Sequence, residues 1–393
     1  MHRTQTRKVR VGRVEIGGDA PVSVQSMTIT DTRDIDGTLS QIYQLAAEGC
    51  EIARVAVPDA DAAAALREIK PRSPLPIVAD IHFDHRLALL ALEAGIDKLR
   101  INPGNIGSRE RTRIVAREAK ARGVPIRIGA NIGSLSKATL RTFGRPCAEA
   151  LVESALEDVA VLEDLDFHDI VISVKASEVQ MMIDAYTMIS ERTPYALHVG
   201  VTEAGTAWAG SLKSAVGIGT VLARGIGNTI RVSLAADPVE EVRAAYEILK
   251  SLGLRTRGVQ FVACPSCGRA EVDIIQIAQE VERRLRSIPA PVKVAVMGCA
   301  VNGPGEARMA DVGIACGRGM GLIFQDGKIV ASLPEDQLID GLMDYVWKVA
   351  RERYGVNDPG SGVFDAAGPN AAAQDAAALS APRDVAAGLG LGP

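Results

Sequence analysis

At roughly 100–200 residues per domain, a chain of 393 residues has room for two or three domains, and its 47% apolar and 23% charged residues exclude wholesale disorder. Forty-four basic against 48 acidic residues leave a net charge of −4, and aromatics make up only 4%; neither a general polycation nor a stacking platform for nucleic acid is available. No run reaches the ~18–20 apolar residues of a membrane span, the basic opening MHRTQTRKVRVGRVEIGG lacks the apolar core of a secretory signal, and six cysteines are too sparse for a disulfide scaffold. The expected setting is the cytoplasm, with no membrane or nucleic-acid partner.

In chain order, RKVRVGRVEI (7–16) alternates around a glycine and reads as a hairpin, suited to plugging the floor of a barrel. Eight short runs rich in Val and Ile follow: 21–27, 51–57, 76–83, 97–102, 125–131, 169–176, 195–201 and 228–234. Such runs are expected of buried parallel strands. Amphipathic stretches lie between them, among them 36–49 and 108–123, with Asp36 and Ser108 as expected N-caps. Gly49, Gly95 and Gly123 stand where helices end. Eight strand–helix units predict an α/β fold, a TIM (β/α)8 barrel over residues 1–255, since such barrels take about 250 residues. An open doubly wound sheet is the rival, but no strand leads into a GxGxxG turn. Gly217, Gly219, Gly225 and Gly227 fall within and after a helix, which argues against a dinucleotide site.

Residues 256–356 read as a smaller α/β domain: strands at 258–264, 292–298 and 311–317, a helix at 271–286, a hairpin turning at Asp326-Gly327 and a closing helix at 337–355. From 357 to 393, Ala, Gly and Pro supply 21 of 37 residues, too little apolar surface to offset the entropy of ordering, and a disordered tail is expected.

Barrel enzymes work at the C-terminal ends of their strands. Those ends carry Arg54, Asp80 and His82, Arg100 and Asn102, Arg127 and Asn131, Lys175, His198 with Glu203, and Arg231 with Ser233. Four arginines and a lysine on one rim form a cationic bowl, and Arg adds a planar fork suited to phosphate. The expected ligand is a small polyanion, with Asn131 and Ser233 as neutral donors; the alternative for any one arginine is a structural ion pair. His82 and His198 suit phosphate binding or proton donation, or are satisfied rim histidines. Glu203 is either a proton-handling acid or a partner for Lys175 or Arg231. Arg113, Arg117 and Arg122 lie on the amphipathic helix and read as solvated.

Cys264 and Cys267 stand in VACPSCGR between a strand and a helix. A redox dithiol, half a zinc site and the start of an iron–sulfur site all fit a CxxC. Cys299, in VMGCAVNGPGEA, adds a third thiol amid glycines that let backbone approach a bulky inorganic core. A dithiol needs no third cysteine, and zinc would want a fourth Cys or His, whereas no histidine follows His198. Glu306 closes the NGPGE loop as a plausible oxygen ligand or as a solvated acid. Three thiolates and a displaceable carboxylate describe a [4Fe–4S] cluster with one reactive iron. Cys50, Cys147 and Cys316 read as structural.

CPSCGR, GCAVNGPGE, SVQSMT, LRINPGN, ANIGS and VTEAG together resemble the 4-hydroxy-3-methylbut-2-en-1-yl diphosphate synthase family over residues 4–356. Gly253 leads almost directly to Gly258, as in the two-domain bacterial type. The resemblance implies a substrate, 2-C-methyl-D-erythritol 2,4-cyclodiphosphate, opened and dehydrated by two electrons in isoprenoid precursor biosynthesis. It also implies a [4Fe–4S] cluster on Cys264, Cys267, Cys299 and Glu306. Substrate contacts are expected from Arg54, His82, Arg100, Asn102, Arg127, Asn131, Lys175, His198, Arg231 and Ser233, and proton handling from Glu203. Flavodoxin or ferredoxin is implied as donor, and a homodimer in which the cluster domain of one subunit serves the barrel of the other.

Overall fold

Val9–Val11 (β1) and Val14–Ile16 (β2) pair antiparallel, the hairpin anticipated from alternation. They enter a computed structural model that describes residues 3–102, 106, 108–135, 137–299 and 303–358. The tail from 359 onward lies outside the described residues. The chain forms two compact units that divide between Leu254 and Arg255.

In the first unit, β3 (Ser23–Met27), β4 (Ile52–Val57), β5 (Ile77–Ile81), β6 (Lys98–Ile101), β7 (Ile126–Asn131), β8 (Ile170–Lys175), β9 (Ala196–Val199) and β10 (Thr229–Ile230) run parallel. They close as a barrel in the order β10-β3-β4-β5-β6-β7-β8-β9. Around it lie α1 (Ile35–Ala47), α2 (Ala60–Arg72), α3 (His85–Glu93), α4 (Arg109–Arg122), α5 (Lys137–Phe143), α6 (Ala148–Glu163), α7 (Val179–Arg192), α8 (Ala207–Ala223) and α9 (Pro238–Ser251). The helices start and stop on local chemistry. Ser108 accepts from the Arg111 amide, and Gly123 takes a left-handed φ of 66° after the last turn of α4. At α1 the cap is Asp34, accepting from the Gly37 amide, and not Asp36 as the sequence suggests. Asp36 sits inside the first turn, where its charge still suits the positive helix end.

Strand alternation divides two environments. Outward residues such as Val55, Ile77, Ile101, Ile128 and Ile172 join helix residues such as Leu66, Leu92, Val115 and Leu151 in one buried apolar layer. At the bottom several inward residues are apolar. There Ile52, Val78, Val171 and Ala196 pack on Val9, Val11 and Ile16 of the hairpin, which closes the floor. Backbone bonds such as Arg7 N–H to Pro194 O, 2.7 Å, tie the N-terminal segment to the barrel.

The second unit holds β11 (Gln260–Ala263), α10 (Ile274–Leu285), β12 (Lys293–Met297), α11 (Gly303–Arg308), β13 (Val312–Gly317), β14 (Met320–Gln325), β15 (Lys328–Pro334) and α12 (Leu338–Tyr354). Its sheet runs β11-β12-β13-β14-β15, parallel over the first three strands and antiparallel over the rest. Asp326 and Gly327 turn the last hairpin with φ of 51° and 78°, the left-handed pair a two-residue turn demands. Glu306 differs from expectation. It lies in the short helix α11, pressed so closely on the sheet that a Cβ on Gly313 would stand 2.8 Å from Ala307 O.

Candidate active site

The inward positions at the upper ends of the barrel strands are charged. Asp80 on β5 accepts from Arg54 Nη2 at 2.9 Å and from Arg100 Nη1 at 3.1 Å, with His82 Nε2 3.3 Å away. His82 Nε2 is also 2.7 Å from Arg100 Nη1. Burial pushes the Asp80 carboxyl up, but Arg54, His82 and Arg100 outweigh it and hold it well below the usual carboxylate range. Burial lowers Arg54 to about 10 against the pull of Asp80. Arg100 lies against Gly129, where a Cβ would come 2.9 Å from Arg100 Nε.

Across the barrel, Arg231 is held by Glu241 of α9, its Nε and Nη2 donating at 3.2 and 3.1 Å. Glu241 also accepts from Ser26 Oγ at 2.9 Å and from the Leu234 amide at 3.0 Å. Thus the partner of Arg231 is Glu241, not Glu203. Glu203 is exposed just past β9, with a left-handed φ of 52°, and makes no hydrogen bond or ion pair among the described residues. A non-glycine residue held there is unusual and marks a constrained loop. Ser233 is half-buried beyond β10, Asn131 ends β7, and Asn102 follows β6 in a buried position.

Elsewhere in the lumen, charge is unmatched. Arg127 is 1% exposed, and its Nε and Nη1 have no partner among the described residues. Lys175 projects toward Gly200, where a Cβ would stand 2.8 Å from its Nζ. His198 is fully buried one inward step below the rim, because the rim position on its strand is Gly200; both its ring nitrogens lack partners. Lys98, absent from the sequence-derived set, crosses from β6 to β3 with Nζ 3.5 Å from Gln25 Oε1. Burial, then the surrounding cations, push Lys98, Lys175 and His198 well down. Among the described residues the lumen thus sets four arginines, Arg54, Arg100, Arg127 and Arg231, with the amines of Lys98 and Lys175 beside them, against two carboxylates, Asp80 and Glu241. Buried charge without a counter-charge is costly, and the chemistry of this lumen suits a small polyanion. By contrast Arg113, Arg117 and Arg122 pair with Asp164, Glu110 and Glu118 on the exposed helix surface, as expected of solvated charges.

In the second unit, β11 and β12 are parallel neighbours with Ala263 beside Val296. Cys264 and Cys299 therefore emerge from the same edge of the sheet. Cys264 is half-buried, Cys299 buried, and Cys267 exposed after the left-handed Ser266. Glu306 follows on α11. Among the described residues no three Cys, His, Asp or Glu side chains gather around a single ion. A four-iron cube offers a separate iron to each ligand, so its thiolates stand further apart than those around one ion. Cys264 and Cys299 at that edge, with Cys267 and Glu306 in the segments that follow them, form a donor set of three soft sulfurs and one carboxylate that fits such a group by its chemistry. Cys50 and Cys316 are buried, and burial pushes both thiols up to about 12, which leaves them inert. Cys147 occupies the N-cap of α6.

A cationic barrel mouth, joined in one chain to a unit presenting three cysteines at a sheet edge, defines a two-domain barrel enzyme. Residues 6–246 match the family model described as the GcpE TIM-barrel domain, and residues 260–348 that of the GcpE protein C-terminal domain. The chain belongs to the GcpE family. It is 56% identical over 354 residues to a 4-hydroxy-3-methylbut-2-en-1-yl diphosphate synthase (flavodoxin) of Geobacillus thermodenitrificans, covering 90% of this chain and 95% of the relative. It is 59% identical over 343 residues to the protein of that name from Clostridium acetobutylicum, covering 87% and 98%. Among solved structures, a spore coat polysaccharide biosynthesis protein of Bacillus subtilis superimposes with a TM-score of 0.46 at 13% identity, over 62% of this chain and 72% of that one.

Proposed function

We propose that this chain is a 4-hydroxy-3-methylbut-2-en-1-yl diphosphate synthase of isoprenoid precursor biosynthesis. It opens and dehydrates 2-C-methyl-D-erythritol 2,4-cyclodiphosphate with two electrons from flavodoxin. The observation that carries this reading is the uncompensated cationic mouth of the barrel in a chain of the GcpE family. Arg54, Arg100, Arg127, Lys175 and Arg231 supply the counter-charge for the diphosphate. Asp80 and Glu241 hold the guanidinium planes of Arg54, Arg100 and Arg231, so that the forks are oriented before the ligand arrives. His82, Asn102, Asn131, His198 and Ser233 are assigned to the same substrate set. Glu203, unpaired and exposed beside the bowl, delivers the proton with which the hydroxyl leaves as water.

In this reading Cys264, Cys267, Cys299 and Glu306 hold a [4Fe–4S] cluster. When bound, the cluster supplies single electrons and a Lewis-acidic iron. The enzyme works in the cytoplasm as a homodimer, the second unit of one subunit serving the barrel of the other. Iron, zinc and acid-labile sulfide on anaerobically purified protein, with the visible spectrum before and after dithionite, test the cofactor. About four irons and four sulfides per chain, with absorbance that bleaches, are expected. One zinc and no sulfide after anaerobic reconstitution overturns the redox reading. E203Q is expected to keep the spectrum and lose turnover with reduced flavodoxin; normal turnover removes the proton role. Mixed dimers of E203Q and C299S subunits regain part of the activity if the two units act across subunits, and none if each chain acts alone.

A further inference from the structure

Lys98 is the least explained charged residue in the barrel. It is fully buried. Among the described residues its side-chain nitrogen has one long contact, 3.5 Å to the Gln25 side-chain oxygen, and no carboxylate partner. That contact runs from β6 to β3, which are not neighbours in the barrel, so the lysine lies across the lumen. Register pairs Lys98 with Val78, one inward step below the Asp80–Arg100 pair. It therefore lies between the apolar floor and the ion-paired bowl.

The groups around it, strand by strand, include one carboxylate, Asp80; the rest are cationic or neutral. On the flanking strands stand Arg127 of β7, and Asp80 and His82 of β5, with Asp80 turned upward to Arg54 and Arg100. Around the rest of the lumen come Arg54 of β4, Gln25 of β3, Ser173 and Lys175 of β8, His198 of β9 and Thr229 of β10. Arg231, just past β10, is occupied by Glu241. Beneath lie Ile52, Val78, Val171 and Ala196, with no charge to offer. A guanidinium keeps its proton even when crowded. Lys98, Lys175 and His198 therefore yield theirs first, and burial together with Arg127 and Arg54 pushes Lys98 well down.

We propose that filling the bowl with a diphosphate draws one proton from solvent onto Lys98, so that the polyanion binds together with a proton. The inference rests on the reading of the bowl as a diphosphate site. An anion above Lys98 replaces the repulsion of its neighbours by attraction and favours the ammonium, which makes Lys98 a positioning residue that supplies counter-charge only when the site is loaded. Between the lowered value of the empty site and the ordinary lysine value near ~10, uptake of one proton weakens binding as pH rises, by up to about tenfold per pH unit.

The test is calorimetric titration of the anaerobically purified holoenzyme with inorganic pyrophosphate. It is run at several pH values, each in two buffers of different ionisation enthalpy. Wild type is expected to take up more protons per bound pyrophosphate than either variant below; protonation of the pyrophosphate itself is common to all three and cancels. K98R, always charged, is expected to keep the affinity and lose the Lys98 share of the uptake. K98M is expected to lose the same share and to bind roughly tenfold or more weakly at pH 7. Melting curves of both variants report whether the fold survives, and if K98M does not fold, K98R alone decides. Uptake in K98R equal to wild type overturns the inference while leaving the diphosphate site intact. Absence of pyrophosphate binding to wild type overturns the diphosphate reading and the inference with it.

Discussion

The carboxylate of Glu241 offers the most direct test of how the bowl is built. It is 3% exposed and accepts four hydrogen bonds, from Arg231 Nε and Nη2, Ser26 Oγ and the Leu234 amide. Substitution E241Q keeps the shape. The oxygen facing Arg231 Nη2 and Leu234 survives as an amide oxygen, and the Ser26 hydroxyl can rotate to accept from the new amide nitrogen. What cannot be restored is the bond from Arg231 Nε, which would then face a donor, and the counter-charge itself. Removing one partner of a buried pair costs about 3–5 kcal/mol when the other charge is stranded. Arg231 retains partial access to solvent at 15% side-chain exposure, which places the expectation near the lower figure, about 3 kcal/mol. For a domain of this size each kcal/mol moves the melting temperature by roughly 2–4 °C, so a fall of roughly 6–12 °C is expected. Differential scanning calorimetry reads the shift, and pyrophosphate titration reads whether the freed arginine still faces the ligand. A melting temperature within ~2 °C of wild type would show that Glu241 does not carry the charge of Arg231, and the reasoning about an orienting carboxylate would fail.

Three further expectations follow from other sites. A Cβ on Gly200 would stand 2.5 Å from Arg231 O and 2.8 Å from Lys175 Nζ. G200A should therefore displace Lys175 and weaken pyrophosphate binding by about 10- to 100-fold, the worth of one charge-assisted bond; unchanged affinity in calorimetry would contradict it. Burial raises the half-buried Asp158 carboxyl to about 7, helped by Glu157 and opposed by Arg109. A raised carboxyl favours the protonated folded chain, so its contribution is full below the ordinary carboxylate value and is lost as pH rises through about 7. D158N should raise the melting temperature more at pH 8 than at pH 4, and an equal effect at both would refute the assignment. After removal of any bound metal with a chelator, iodoacetamide at pH 8 should label the exposed Cys267 first and spare Cys50 and Cys316 until the chain unfolds; peptide mass analysis distinguishes these sites.

Much of the barrel is legible in the sequence because its physics is local. Val- and Ile-rich runs of strand length, separated by amphipathic stretches that end in glycine, specify strand, helix and stop without reference to distant residues. The inward arginines are legible for the same reason, since Arg100 and Asn102, or Arg127 and Asn131, alternate on one face. Lys98 follows that alternation too, two positions before Arg100, yet its depth in the lumen depends on where the floor lies. Glu241 is not legible. It sits on the helix that follows β10, ten residues after Arg231, and only the packing of that helix back on its own strand brings the two together. Gly129 and Gly200 are silent in sequence for a related reason, since their missing side chains matter only against Arg100 and Lys175 in three dimensions. The helical setting of Glu306 is hidden because the glycines and proline of NGPGEAR favour a loop, whereas contact with β12 and β13 makes that segment a short helix.

The hairpin beneath the barrel has a consequence for traffic. With Val9, Val11 and Ile16 seated on Ile52, Val78, Val171 and Ala196, the floor end of the lumen is plugged by apolar side chains. A molecule in the bowl leaves by the route it entered, past the same arginines. On the proposed reading, substrate and product diphosphates use the same arginines, so product must depart before the next substrate is bound there. Affinity for the shared diphosphate group, useful on the way in, then becomes a brake on the way out, and product competes directly with substrate for the same arginines.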